Sequence, residues 1–469
     1  MNQTIRPFGW RDKLGYLFGD FGNDFTFILS TSILMKFYTD VMGLSSGLVG
    51  LVMMLARFLD AVTDVTMGRI ADASRPTIAG KFRPWILRMA IPVAAASFLM
   101  YQSGFAGMSY GFRVGYFVLT YLLWGSFCYT GINIPYGSMA SSISSDPADR
   151  QSLSTYRSMG GTLAGLVIGV GLPMFAYSKV QLSDGSIKET LIGSRVTAIA
   201  GVFSALAVVC YLLCYVLVRE RVQYTTVRKE KTSIRRMFSD AIKNRPLISI
   251  IVASILMLLA QLTMQNMSAY LFPDYYNNAG AQSVSTILMV IGMLLAASVA
   301  KPLAVRFGKA EVATVSNLFA SGVCVATFLV RPQNVWFYCA LQFLNWLGLG
   351  IFSMVSWALI TDVIDDAELK NGIREDGSIY ALYSFARKLG QAAASGISGL
   401  LLEAIGYNNN AITQGVAQTE SVKNGIFNIA TLVPAVGFAA LSAVLWLWYP
   451  LHKRQVEENV AALKEKHGR

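Results

Sequence analysis

The sequence predicts an all-α membrane protein of twelve transmembrane helices arranged as two six-helix halves. Three observations predict it. Of 469 residues, 54% are hydrophobic and only 14% charged, against roughly 45–50% and 25% in an average soluble domain. Apolar stretches of about the 20 residues that a membrane helix needs recur along the whole chain. The net charge of +12 sits between those stretches. A soluble multidomain enzyme does not fit this composition. The 40 glycines and the 12% of aromatic residues do fit a membrane protein, since small residues let membrane helices approach and aromatics anchor their ends.

The first span follows Lys13, contains Asp20 and Asp24 and reaches Tyr38. It is too long and too acidic for a cleaved signal peptide. Further apolar runs lie at about 46–70, 85–105, 113–142, 152–177 and 195–218, then at 247–271, 283–305, 312–330, 334–361, 380–405 and 425–449. Between the sixth and seventh, residues 219–246 hold Arg219, Arg221, Arg228, Lys229, Lys231, Arg235, Arg236, Lys243 and Arg245 against Glu220, Glu230 and Asp240. By the rule that short cytoplasmic loops are basic, this loop and both termini are cytoplasmic. The expected layout is therefore an N-terminal half 1–218, a basic linker 219–246, a C-terminal half 247–452 and a tail 453–469. Topology explains the basic loop without a nucleic-acid partner. Two parallel halves further predict a substrate site near the midplane and alternating access by rocking.

Two scarce residue types exclude chemistry. Cys128, Cys210, Cys214, Cys324 and Cys339 all lie in apolar runs, at no metal-ligand spacing and with no disulfide pattern. His452 and His467 follow the last apolar run, so no span carries a histidine base or a Ser-His-Asp arrangement. The chain is expected not to be an enzyme and to need no cofactor.

A charge within a span is costly and needs a partner or a wet cavity. Asp20 and Asp24 are one turn apart. Arg57, Asp60, Thr63 and Asp64 form one polar stripe at spacings of three and four. Arg157 lies in the fifth span and Arg387-Lys388 in the eleventh. Two carboxylates one turn apart in low dielectric repel each other when both are ionised, so Asp60 and Asp64 suit a proton or a metal cation such as sodium. Thr63 and Thr130 can add oxygens. The competing structural reading pairs the two acids with Arg57, Arg69 or Arg88 to hold helices together. Lys36, Asp40, Asp72, Lys301, Asp362 and Glu403 lie near helix ends, where snorkelling or gate-closing ion pairs are expected. Trp85, Trp336, Trp446 and Trp448 read as interfacial anchors. Trp124, Tyr129, Tyr136, Trp346, Tyr380 and Tyr383 are placed either to face a sugar ring or to pack the core.

Five blocks carry a resemblance: Gly19-Asp20-Phe21-Gly22-Asn23-Asp24, Arg57-Phe58-Leu59-Asp60-Ala61-Val62-Thr63-Asp64, Gly80-Lys81-Phe82-Arg83-Pro84-Trp85, Asn133-Ile134-Pro135-Tyr136-Gly137 and Phe385-Ala386-Arg387-Lys388-Leu389-Gly390-Gln391. Together they resemble the glycoside/pentoside/hexuronide:cation symporter family of the major facilitator superfamily, which includes the melibiose permeases and the bacterial glucuronide and xyloside transporters. The resemblance implies that Asp24 holds sugar hydroxyls, that Asp60 and Asp64 hold the cation with Thr63 and Thr130, and that Arg157 contacts sugar. It further implies that Lys388 bridges acids and sugar, and that Tyr129, Tyr383 and Ser384 line the cavity. Asn23 stands where melibiose permeases carry a lysine, and Asn133 where they carry an aspartate. Both departures resemble the glucuronide and xyloside branch. With Arg387 beside Lys388, they make a carboxylated sugar more plausible than for melibiose permeases and leave neutral glycosides and pentosides open.

The expectation is a proton- or sodium-coupled importer of a sugar glycoside, hexuronide or pentoside, working as a monomer among the lipids of a bacterial inner membrane. An uncoupled uniporter of the same fold, or a transporter-like sensor using the basic loop and charged tail, is the alternative.

Overall fold

The computed structural model describes residues 6–183, 185–222, 244–371 and 376–466. Residues 223–243 of the basic linker, Arg374 and His467 lie outside the described residues, as does the side chain of Tyr380. The chain divides into two compact units, Met1–Lys229 with Leu402–Gln418, and Glu230–Leu401 with Thr419–Arg469.

The first unit contains α1 (Trp10–Lys36), α2 (Ser46–Ala73), α3 (Arg83–Leu99), α4 (Tyr110–Leu122), α5 (Thr130–Ile143), α6 (Pro147–Ala176) and α7 (Gly193–Leu217). Their starts follow from capping. The Ser45 hydroxyl accepts from the Leu48 amide at α2, and Asp146 accepts from Ala148 ahead of Pro147 at α6. At α3 the cap comes from far along the chain. The Glu220 carboxylate accepts from the backbone amides of Lys81, Phe82 and Arg83 at 2.7–2.9 Å, satisfying the open amide of the first helical residue and those of the two residues that lead into it. Gly80 makes this approach feasible, because it sits at φ +113° and a Cβ there would lie 2.5 Å from Glu220. The Gly-Lys-Phe-Arg block is thus a socket for the first residues after α7. Beside it, fully buried Asp12 pairs with Arg6 at 2.9 Å and Arg221 at 2.8 Å.

A wide π-helical turn, Leu123–Tyr129, joins α4 to α5 without a break. Such turns inside helices frequently mark functional positions. A two-stranded antiparallel hairpin, β1 (Tyr177–Gln181) with β2 (Ile187–Leu191), links α6 to α7. The hydropathy reading leaves that stretch as a plain loop, since five-residue strands of mixed polarity give no membrane signal. Within this unit Lys36 and Asp40 form a buried ion pair at 2.8 Å, and the Tyr407 hydroxyl donates to Asp40 at 2.8 Å.

The second unit contains α8 (Arg245–Tyr270), α9 (Gly280–Phe307), α10 (Lys309–Val330), α11 (Val335–Asn371), α12 (Asp376–Ala404), α14 (Glu420–Ala443) and α15 (Lys453–Lys466); the short α13 (Ala411–Gln414) belongs to the first. Its core sets small residues, Ala253, Ala260, Ala313 and Ala320, among larger apolar ones such as Leu349, Phe352, Phe438 and Leu441. Small residues are what let helices pack closely where lipid supplies no hydrophobic drive. All five cysteines are free and buried.

Among the described residues, nine helices are long and apolar enough to cross a membrane. Helices α1, α2 and α12, of 27, 28 and 29 residues, are long enough but more polar. They carry Asp20 and Asp24, then Arg57, Asp60 and Asp64, then Arg387 and Lys388. The residues that give the chain its candidate chemistry are the ones that depress its membrane signal.

Candidate functional site

In the first unit the acids of α1 and α2 have different surroundings. Asp20 accepts from Arg157 Nε at 2.9 Å, so the guanidinium assigned to sugar by resemblance is ion-paired here. It also lies over the Tyr136 ring, 5.3 Å from its centroid. Asp24 and Asp20 both turn toward Gly161 of α6, where a Cβ would lie 2.6 Å from Asp24 Oδ2 and 3.2 Å from Asp20 Oδ2. A Cβ on neighbouring Gly160 would lie 2.5 Å from the Leu17 carbonyl oxygen. The glycine pair therefore lets α6 run against the backbone of α1, leaving a side-chain-free ledge opposite both carboxylates. Neither glycine stands out in the sequence, where 40 glycines are spread along the chain.

Asn23 is 1% exposed. Its Oδ1 accepts from the Tyr211 hydroxyl at 3.0 Å, and its Nδ2 donates to Asn133 Oδ1 at 3.4 Å. The two asparagines that depart from the melibiose pattern thus meet each other, tying α1 to α5 and α7. Tyr129 is half-buried and stacks on Phe27 of α1 at 5.5 Å and 22°. Tyr16 and Tyr136 stack at 4.6 Å, and the Tyr136 hydroxyl donates to the Tyr16 carbonyl. Trp124 is fully buried, as core packing requires.

On α2 the four polar residues separate. The Ser126 hydroxyl donates to Asp60 Oδ1 at 2.6 Å, and the Thr130 hydroxyl donates to Asp64 Oδ1 at 2.8 Å. Asp60 and Asp64 are four apart, and so are Ser126 and Thr130, so the two contacts form parallel rungs across two helices. Arg57 reaches Asp60 Oδ2 at 3.3 Å, and its guanidinium lies 5.1 Å from the Phe27 ring centroid. Arg57 therefore belongs to the site, as the ion-pair reading anticipates. Thr63 donates instead to the carbonyls of Leu59 and Asp60 on its own helix. Ser126 is the residue that sequence reading misses. The signal that finds it is the match between its spacing from Thr130 and the spacing of the two acids.

In the second unit, Arg387 lies 5.7 Å from the Trp357 ring and 5.9 Å from the Tyr383 ring. Tyr383 is buried, and its hydroxyl has no hydrogen-bond partner among the described residues. Ser384 and Lys388 are half-buried on the same helix. Asp362, expected near a helix end, pairs with Lys309. Trp336, Trp446 and Trp448 are exposed. No group of three or more histidine, cysteine or acidic residues is close enough to hold a metal among the described residues; the α2 site has two acids and relies on hydroxyls.

A helical membrane chain with polar residues gathered inside each half defines a transporter rather than an enzyme. Residues 15–453 match the family described as MFS/sugar transport protein, and the chain belongs to that family. It is 28% identical to a glucuronide carrier protein homologue of Escherichia coli (strain K12), over 99% of this chain and 97% of that one. It is 30% identical to an isoprimeverose transporter of Lactiplantibacillus pentosus, over 98% of this chain and 92% of that one. A bacterial homologue of the human lysosomal transporter Spinster has the same fold at a TM-score of 0.68 and 12% identity, covering 95% of this chain and 97% of that one. The protein is thus a multi-pass membrane transporter of the major facilitator fold, in a family of sugar transporters.

Proposed function

We propose that this protein is a cation-coupled symporter that imports a sugar glycoside, hexuronide or pentoside across a bacterial inner membrane. It works as a monomer with twelve spans and both termini in the cytoplasm. Proton or sodium is the coupling ion, bound at Asp60 and Asp64 with Thr130; sugar binds at Asp24 in the first half, with Arg157 and Tyr129. Among the described residues, nine apolar helices plus three more charged ones of 27, 28 and 29 residues support the span count.

The observation that carries the reading is the double rung of α2. Two acids one turn apart, each accepting from a hydroxyl of a second helix, offer an ion several oxygens at fixed spacing. A pair with only structural work does not need matched hydroxyls, since lysine or arginine neutralises it. Asp24 has a different aptitude. Its carboxylate can accept two sugar hydroxyls by charge-assisted hydrogen bonds, opposite a ledge without side chains.

The similarity to a glucuronide carrier homologue and to an isoprimeverose transporter supports a hexuronide or a pentose-containing glycoside as substrate. One observation favours a second reading. Arg57 already pairs with Asp60, and a site neutralised from within suits an uncoupled uniporter.

Uptake into proteoliposomes separates the two. Labelled methyl β-glucuronide, isoprimeverose and melibiose are each offered with a sodium gradient, with a pH gradient, and with neither. The symporter concentrates at least one sugar above its external level only when one gradient is imposed. Equilibration without concentration under every gradient would establish the uniporter.

A further inference from the structure

Asp60 is held by both oxygens, and the two holds differ in kind. Ser126 is neutral, 1% exposed, and fixed in the wide turn Leu123–Tyr129, 2.6 Å from Oδ1. Arg57 is charged, carried on a long side chain, and 3.3 Å from Oδ2. A hydroxyl that donates its proton to a carboxylate keeps its lone pairs, so it can still face a cation. An arginine has donors only and competes with any cation for the same oxygen. An ion arriving at Asp60 therefore meets a supporting oxygen on one side and a rival on the other.

Resting on the coupled reading above with sodium as its ion, we propose that Ser126 is a positioning residue, fixing Asp60 for that ion, and that Arg57 is the resident cation which the ion displaces from Asp60 Oδ2. In the ion-free carrier, Arg57 neutralises a carboxylate that would otherwise stand charged within a span. When the ion binds, Ser126 keeps Oδ1 in place, Thr130 holds the second rung at Asp64, and Arg57 withdraws along the face of Phe27. The same acid thus serves the loaded and the empty carrier with one unit of positive charge beside it in each.

The two residues consequently act with opposite sign, which damage to packing does not produce. The test measures the half-activating concentration of sodium chloride at fixed pH for proteoliposome uptake of labelled methyl β-glucuronide and isoprimeverose; protons do not serve for this comparison, because a hydroxyl that donates to a carboxylate opposes its protonation. Ser126→Ala should raise the half-activating concentration by about tenfold or more, the worth of one hydrogen bond to a charged group. Ser126→Cys keeps the size and weakens the donor, and should shift it the same way. Arg57→Gln should lower it, by removing the rival. Sugar counterflow at saturating ion, per amount of monodisperse protein, reports that each variant is folded.

If the Ser126 variants leave the concentration within about twofold of wild type, or move it in the same direction as Arg57→Gln, while Asp60→Asn abolishes the ion response, the proposal is overturned and the coupled reading stands. If Asp60→Asn keeps a normal ion response, or neither sodium nor a pH gradient activates the wild-type chain, the coupled reading falls and this inference with it; activation by protons alone overturns the inference and leaves the coupled reading standing.

Discussion

Two acid pairs of the first half share one spacing and differ in what faces them. Asp20 and Asp24 on α1 look onto the glycine ledge of α6, with Arg157 on Asp20. Asp60 and Asp64 on α2 meet the hydroxyls of Ser126 and Thr130, with Arg57 on Asp60. In each pair one acid carries an arginine, at 2.9 Å on α1 and 3.3 Å on α2. The opposite helix makes the difference. A glycine ledge in close contact gives the α1 acids no donor side chain, so a ligand with hydroxyls of its own can supply one, whereas paired hydroxyls already in place suit an ion that wants oxygens. An acid pair read from sequence acquires its role from the residues across from it.

The largest expected effect in breaking this comparison is at Asp24. Asp24→Ala removes up to two charge-assisted hydrogen bonds worth about 1.5–3 kcal/mol each, so affinity for sugar on purified protein should fall more than about tenfold. A change below about threefold would make Asp24 structural and the α1 pair no different from any buried ion cluster. Next comes the ledge. Gly161→Ala places a methyl 2.6 Å from the native position of Asp24 Oδ2, an overpacking of the kind that costs about 1–3 kcal/mol. Sugar affinity should weaken while the response to sodium or protons persists, and the reverse pattern would erase the division between the pairs.

The smallest effect concerns charge selectivity. Arg387→Gln should penalise a glucuronide more than the matching neutral glycoside if Arg387 reaches a substrate carboxylate, since a carboxylate left without its partner keeps its desolvation cost. Its place against the Trp357 and Tyr383 rings also suits packing, and equal losses for both sugars, measured by competitive binding, would assign it there. A neutral glycoside or pentoside would then be the better substrate class.

Much of this was legible in the sequence. Apolar runs and basic loops reveal the helical membrane class because lipid tolerates little else. The acids stand out because charges in apolar runs are rare. What stays hidden depends on contacts between distant segments. Ser126 looks like any serine until its rung with Asp60 is seen. Gly160 and Gly161 matter only because Leu17 and Asp24 approach them, and Glu220 only because it closes the start of α3. The α6–α7 hairpin escapes a hydropathy reading because its pairing is local and polar.

The central claim is that the α2 pair couples sugar movement to an ion while the α1 pair holds sugar. Asp60→Asn and Asp64→Asn keep the shape of each carboxylate but cannot follow a cation. In proteoliposomes, each variant should lose gradient-driven accumulation of the sugar that wild type concentrates, yet retain measurable counterflow of the same sugar. Normal accumulation in both single variants would contradict the claim.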